Sequence, residues 1–432
     1  MRIFSNERRG FALVIVLTLL AMLVLATYAI SLVGRIDTQV GSIAMYQLNA
    51  RQNALLALRI AHARLQVNAG PQPARTSMAG MYQGINPVNS RWTAIWTPGG
   101  RDIEWMVSGD QTPDSYDPQL TVEPGGTPYV AEPVKNVIIV GHNSVSTAST
   151  VYRAGDIIAI PKTRISTTQS GLAGSYAYWV GDEGTKVSAY VPASSAQIGL
   201  NGIPIRPYLR YLINVQFNPE NPLLDDAVSF RQIGFIQSGF SPSQAFHGLT
   251  VSHVSLLESV EREGLGVTSP YVRGLLNVNN LNAATWRAIL MTIQGPPSNQ
   301  PVLNYRSKDL DLSRKLAEKI EARGTPFESV DQFEASHVIH QALVDAVLTN
   351  SADPTEADIF ALIGPALTTR SDTFRIRAYG EAMNPADADD PEAKPEAVAY
   401  CEAIVQRTDR DLPGYGKKFV ITYFRWLGPD DI

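Results

Sequence analysis

The sequence predicts an α+β fold in which a long N-terminal helix, transmembrane in its first half, packs on an antiparallel sheet interrupted by a large helical insert. Three observations carry this expectation. The stretch 11–33 is apolar and uncharged, and no proline occurs before Pro71. From 371 onward, apolar and polar positions alternate with the period of strands. Between these ends, 193–370 carries several runs with helical spacing.

The N-terminal element is the most informative. At about 1.5 Å per residue, the 11–33 run reaches roughly 34 Å, enough to cross a hydrocarbon core of about 30 Å. Arg2, Arg8 and Arg9 outweigh Glu7 in the preceding 1–10 segment, which predicts a cytoplasmic N-terminus and an external head. A secretory signal is cut after its apolar stretch, whereas Arg8-Arg9-Gly10 stands directly before Phe11 and points to a cut ahead of it. An ordinary single-span anchor is the alternative, and it gives Gly10 no purpose. After the 11–34 span, the 35–69 half of the helix carries a stripe of Ile43, Tyr46, Ala50, Ala54, Leu58, Ala61 and Leu65. Gly70-Pro71 then forms a stop, glycine past the helix end and proline unable to continue it.

The head changes composition twice. The 71–192 region is rich in Gly, Pro, Ser and Thr, with strands expected at 92–96, 103–107, 137–140 and 157–160. It ends in two strand-like runs, 175–180 and 186–191, joined by Gly181-Asp182-Glu183-Gly184-Thr185, which read as a hairpin. The 193–370 insert has helix-like spacing at 252–263, 283–293, 312–322, 330–348 and 356–367, with Asn282 placed to cap the second of these. In the 371–432 segment, Ala397, Ala399, Cys401, Ala403 and Val405 form one small apolar strand face, while Glu402 and Gln406 point the other way. With 374–378 and 418–427, this predicts a three-stranded meander lying close on the long helix.

A net charge of −5 and a pI near 5.8 give no basic footprint for nucleic acid, and no such partner is expected. Cys401 is the only cysteine, so no internal disulfide forms. Asp182 and Glu183 qualify by type as a catalytic carboxylate pair, but beside glycine they read as turn residues. His337 and His340 are spaced to share a metal on a helix, without an evident third ligand. The sequence lacks the metalloprotease, nucleophile-elbow, phosphate-loop and Ser-x-x-Lys patterns, so no enzymatic activity is expected. A membrane-anchored periplasmic enzyme is the alternative from another class.

Arg9-Gly10-Phe11-Ala12-Leu13 resembles a prepilin processing site, which implies cleavage by a prepilin peptidase after Gly10 and N-methylation of Phe11. Five further segments follow in order: 182–186, Leu276-Asn277-Val278-Asn279, 320–323, 326–330, and 371–376 with Ser371-Asp372 at its head. Together they resemble the K-type minor pseudopilins of type II secretion systems, a branch of the type IV pilin-like superfamily. The resemblance covers the N-terminal helix and about 175–410, and leaves 71–170 unplaced. It implies a pilin-like sheet and a single-pass inner-membrane protein with a periplasmic head. It also implies a tip subunit that initiates pseudopilus assembly and supports export across the outer membrane. The partners implied are I-type and J-type minor pseudopilins, the major pseudopilin and the inner-membrane assembly platform. The sequence departs from most pilin-like proteins at Ile15, where the fifth mature residue is usually Glu. A buried carboxylate needs a partner, usually the amine of the preceding subunit, so its loss fits a subunit with no predecessor. A minor type IV pilin in priming or adhesion is the neighbouring alternative; a C-terminal disulfide would have favoured it.

Two ligands remain to be weighed. Asp387, Asp389, Asp390 and Glu392 share one loop, and hard cations favour dense oxygen ligands, so calcium is a candidate there. The resemblance implies calcium in this family, near the C-terminus or, in K-type members, in the insert. A helix-hairpin-helix likeness over 277–333 raises DNA, but the turn that would grip a phosphate reads Ile293-Gln294-Gly295-Pro296-Pro297, and proline has no amide to donate.

Overall fold

The structure, a computed structural model, describes residues 7–100, 102–123, 126–145, 154–165, 173–188, 232–233, 246–251, 258–261, 268–271, 276–290, 309–350, 353–364, 367–387, 390 and 394–432. Its first element, α1, runs from Glu7 to Ala69, a single helix of 63 residues that passes through Gly10 without interruption. The absence of proline keeps its hydrogen-bond ladder whole. Through the apolar segment its described side chains are exposed, Leu13 at 70% and Leu23 at 70%, and the helix is long and apolar enough to cross a membrane. Burial begins at Ala50, so the expected stripe is covered from Ala50 to Leu65, while Ile43 stays 59% exposed.

The chain then makes short strands: β1 (Arg75–Met78), β2 (Thr93–Trp96), β3 (Ile103–Trp105), β4 (Leu120–Thr121), β5 (Tyr129–Val130), β6 (Asn136–Val140), β7 (Ile158–Pro161) and β8 (Thr163–Ile165). The long strand β9 (Ala173–Asp182) follows, then β10 (Val187–Ser188), β11 (Leu249–Thr250), β12 (Glu258–Glu261), β13 (Thr268–Tyr271) and β14 (Leu276–Asn277). Helices Ala283–Leu290, Asp309–Ala322, Val330–Ala335, Val338–Asp345 and Glu356–Ile363 make up the described helical part of the insert. The chain closes with β15 (Leu367–Thr368), β16 (Thr373–Met383), β17 (Ala397–Leu412) and β18 (Gly416–Leu427).

The expected three-stranded meander is part of a larger sheet. Five strands pair in the order β18-β17-β16-β9-β8, all antiparallel. One face takes the second half of α1. Ala54, Ala57, Leu58, Ala61 and Leu65 meet Tyr178, Phe374, Ile376, Ala378, Cys401, Ala403 and Val405 in one core, with Ala50, Ala382 and Ala397 closing its lower end. Small residues set the distance. A Cβ on Gly380 would stand 2.2 Å from the Ala54 nitrogen and 2.3 Å from the Ala50 oxygen, both backbone atoms that no rotamer change can move. Cys401 lies on this face as expected, its Sγ 3.9 Å from the Ala54 carbonyl, and burial pushes its thiol up to about 12.

The opposite face is covered too. The β6-β7 pair lies over it, sharing with the β4-β5 pair and the insert a second core that includes Trp92, Trp179, Trp286, Phe327 and Phe333, while the β1-β2-β3 sheet reaches back toward α1, with Ile95 in the helix-side core and Glu104 paired with Arg64. The insert is joined at its two ends: β14 pairs in parallel with β15, Leu276 beside Leu367 and Asn277 beside Thr368. Asn282 caps its helix as expected, Oδ1 accepting from the Ala284 amide at 3.1 Å.

Three expectations are corrected. The 175–191 hairpin does not form. The chain turns through a 3-10 helix at Glu183–Thr185, and β10 pairs in parallel with β11 instead of folding back on β9. The helix expected at 252–263 is extended at Glu258–Glu261, where β12 pairs with β13; residues 252–257 lie outside the described residues. The 330–348 helix is broken at His337, whose φ of 54 places it in the left-handed region and restarts the helix at Val338.

Candidate functional site

Four separated segments meet where the insert joins the sheet. β9 ends at Asp182, whose Oδ1 accepts from the Gly184 amide at 2.8 Å and so turns the chain out of the sheet. Asp182 Oδ2 accepts from Ser371 Oγ at 2.8 Å and from Asn277 Nδ2 at 3.3 Å. Asn277 Nδ2 also lies 2.7 Å from Thr76 Oγ1, which accepts from the Ser371 amide at 3.1 Å. Asn279 links the knot to the insert: its Oδ1 accepts from the Phe327 amide at 2.7 Å and its Nδ2 donates to the Phe327 carbonyl at 3.1 Å. Asp182 is 5% exposed, and Thr76, Asn277, Asn279 and Ser371 are fully buried.

Burial pushes the Asp182 carboxyl up to about 6, against hydrogen bonds from Ser371, Gly184, Thr76 and Asn277 that hold it down. Because this lies above the ordinary 3.8, the folded state holds the proton more tightly than the unfolded one. The stabilising contribution is therefore full at low pH and lost as pH rises through about 6. Asp182→Asn removes this dependence. The stability of the variant relative to the native protein is expected to rise by on the order of 2–3 kcal/mol between about pH 4 and about pH 7. Denaturant unfolding across that range checks it; a difference that does not change with pH contradicts it.

Behind the knot lies a buried ion lattice. Glu183 pairs with Arg375 at 2.9 Å and with Lys186, and Glu402 pairs with Arg375 and Arg377 at 2.9 Å and with Arg425 at 3.1 Å. Arg377 also donates to the Ile139 carbonyl at 3.1 Å and to Ser144 Oγ at 2.7 Å, tying the sheet to the 136–145 segment. Burial works against the charged form of both acids. Even so, Arg375 and Lys186 hold Glu183 down at about 2, and Arg375, Arg377 and Arg425 hold Glu402 well below the carboxylate range. Burial pulls Lys186 down to about 8, opposed by Glu183. The Phe246 ring caps the lattice, with Arg377 at 4.4 Å and Lys186 at 4.8 Å from its centre.

The structure thus brings Asp182, Asn277, Asn279 and Ser371 into one knot, with Glu183 beside it in the lattice. Asp372 stands at the edge, paired with Arg407 at 3.2 Å. These groups fasten the insert to the sheet, their buried polar atoms satisfied by one another. Phe11 and Ile15 lie far down the helix, 69% and 42% exposed. Asp387 and Asp390 are exposed, Asp389 and Glu392 lie outside the described residues, and no group of acidic, His or Cys side chains suited to a metal occurs among the described residues. His337 Nδ1 meets Glu356 Oε2 at 2.8 Å, and the same carboxylate accepts from the His340 amide at 3.3 Å, so that carboxylate binds helix ends together. Thr76, Arg377 and Asn280, whose Nδ2 donates to the Thr185 carbonyl at 2.8 Å, join these networks without having stood out in the sequence. Their signal was faint: a threonine in a short strand, the last asparagine of a 277–280 run, and an arginine alternating with apolar residues.

No family model, curated protein or solved structure matches the chain.

Proposed function

We propose that this chain is a minor pseudopilin of K type at the tip of a type II secretion pseudopilus, where it initiates assembly and supports protein export across the outer membrane. The observation that carries this reading is α1 itself. Its first part is an exposed apolar rod, and its second part is sunk among small residues against a sheet. One continuous helix of 63 residues that serves lipid at one end and a folded head at the other suits a subunit that leaves the membrane for a filament core.

On this reading, the prepilin peptidase cleaves after Gly10 and the new N-terminus at Phe11 stays on the cytoplasmic side of the inner membrane, with the head in the periplasm. Ile15 supplies no carboxylate for a preceding subunit, and the wide head, insert included, would collide with neighbours on all sides if it repeated along a filament. Both properties fit an end position. I-type and J-type minor pseudopilins would lie below it, then the major pseudopilin, with the assembly platform at the base.

Immunogold labelling of isolated filaments tests the placement. Label confined to one end is expected. Label at regular intervals along the length contradicts it.

A further inference from the structure

We infer that the outer edge of β18 is a docking site for an extended, acidic segment of another polypeptide chain. β18 is the edge strand of the five-stranded sheet. Its distal part is shielded by α1: Gln66 Oε1 accepts from the Phe419 amide at 2.8 Å, Gln66 Nε2 donates to the Lys417 carbonyl at 2.9 Å, and His62 Nε2 meets the Phe419 carbonyl at 3.2 Å. A register shift opposite Ile404 and Val405 then bulges the strand at Thr422.

Beyond the bulge, Tyr423 and Arg425 pair inward with β17, and the alternation turns the main-chain groups of Phe424 and Trp426 outward. No described side chain hydrogen-bonds to these outward groups, and an open strand edge is a template for another strand. Ile421, Phe424 and Trp426 are 44%, 39% and 38% exposed, and the two rings pack edge to face at 5.5 Å. On the α1 side the charge beside them is positive, while Asp430, just past the end of β18, is exposed. Arg51 sits over the Trp426 ring at 5.5 Å. Arg59 lies on the α1 flank between Arg51 and His62, and both arginines are exposed on a chain whose net charge is −5. Extended backbone, apolar contacts and acidic ends are what this edge recognises.

A second copy of the chain fits poorly. α1 runs antiparallel to β18, since Arg51 meets Trp426 while Gln66 meets Lys417. Antiparallel pairing of two β18 edges would invert one α1, and the two anchors could not share a membrane. The inference needs only that anchor and stands whether or not the protein is a pseudopilin.

Amide hydrogen exchange on the full chain in detergent tests it. The probe is a short synthetic peptide, blocked at both ends, that alternates valine and threonine and carries glutamate at each end. Exchange at Phe424 and Trp426 is expected to slow by about tenfold with the peptide, while Tyr423 and Arg425, already paired with β17, stay unchanged. A peptide ending in lysines is expected to give no slowing, and the Arg51→Glu and Arg59→Glu variants to lose the response. Three results overturn the inference: no slowing with the acidic peptide, equal slowing with both peptides, or slowing that follows protein concentration without peptide.

Discussion

Replacing Glu402 with alanine is expected to destabilise the head by about 3–5 kcal/mol, the cost of leaving buried charge uncompensated. Its carboxylate is 1% exposed and holds three arginines. Arg375 keeps Glu183 after the substitution and Arg425 keeps Asp431 at 3.2 Å, but Arg377 loses its only carboxylate among the described residues. Two neutral acceptors, the Ile139 carbonyl and Ser144 Oγ, then face a guanidinium that is 2% exposed. Denaturant unfolding followed by circular dichroism measures the loss. Because the cost comes from the orphaned charge, replacing Arg377 and Glu402 together by methionine and leucine is expected to cost less than Glu402→Ala. A loss below about 1 kcal/mol for Glu402→Ala would place the carboxylate with ordinary surface pairs and contradict the lattice.

The same residue shows where the sequence stopped being legible. Alternation in β17 correctly separated Cys401, Ala403 and Val405 from Glu402, because period two reports the side of a strand. It does not report what covers that side. The second face is buried under β6, β7 and the insert, and every residue of β16 is buried, including Arg375, Arg377 and Glu381. Those charges signal a lattice only when their partners from Glu183, Lys186 and Glu402 are in place, which are long-range facts. The helix side was legible for the opposite reason. A run of alanines at helical spacing facing alternate small residues on strands has few other uses, and Ala54 against Gly380 and Cys401 is that arrangement.

Local signals misled where two elements share a signature. Gly181 to Thr185 has the composition of a hairpin turn, yet Asp182 spends its side chain on the Gly184 amide and on Ser371 and Asn277, turning the chain toward a partner at Leu249. The 252–263 spacing fits a helix, and the pairing of Glu258 with Tyr271 overrides it. The break at His337 carries neither glycine nor proline to mark it. The residues of the knot were legible as separate motifs, Asp182, Asn277, Asn279 and Ser371, but their meeting was not, since Thr76, which joins them, lies in a segment the resemblance left unplaced.

The largest effect expected of any substitution is at Gly10. On the proposed reading, the peptidase requires glycine before the cut, and Gly10→Ala leaves the leader in place. The charged leader, with Arg8 and Arg9, then holds the N-terminus at the cytoplasmic face, because carrying it into a filament core would bury unpaired charge. The uncleaved protein is expected to stay in the membrane, with its head folded, since Gly10 lies far along α1 from the first buried residue at Ala50. Unchanged unfolding of the variant head alongside lost assembly would separate processing from folding.

The most direct test is the mass of the N-terminal peptide from membranes that contain the prepilin peptidase and from membranes that lack it. The account predicts a chain beginning at N-methylated Phe11 when the peptidase is present, and an uncut chain when it is absent or when Gly10 is alanine. An uncut chain in the presence of the peptidase, or a cut near residue 30, would contradict it and return a membrane-anchored enzyme to consideration.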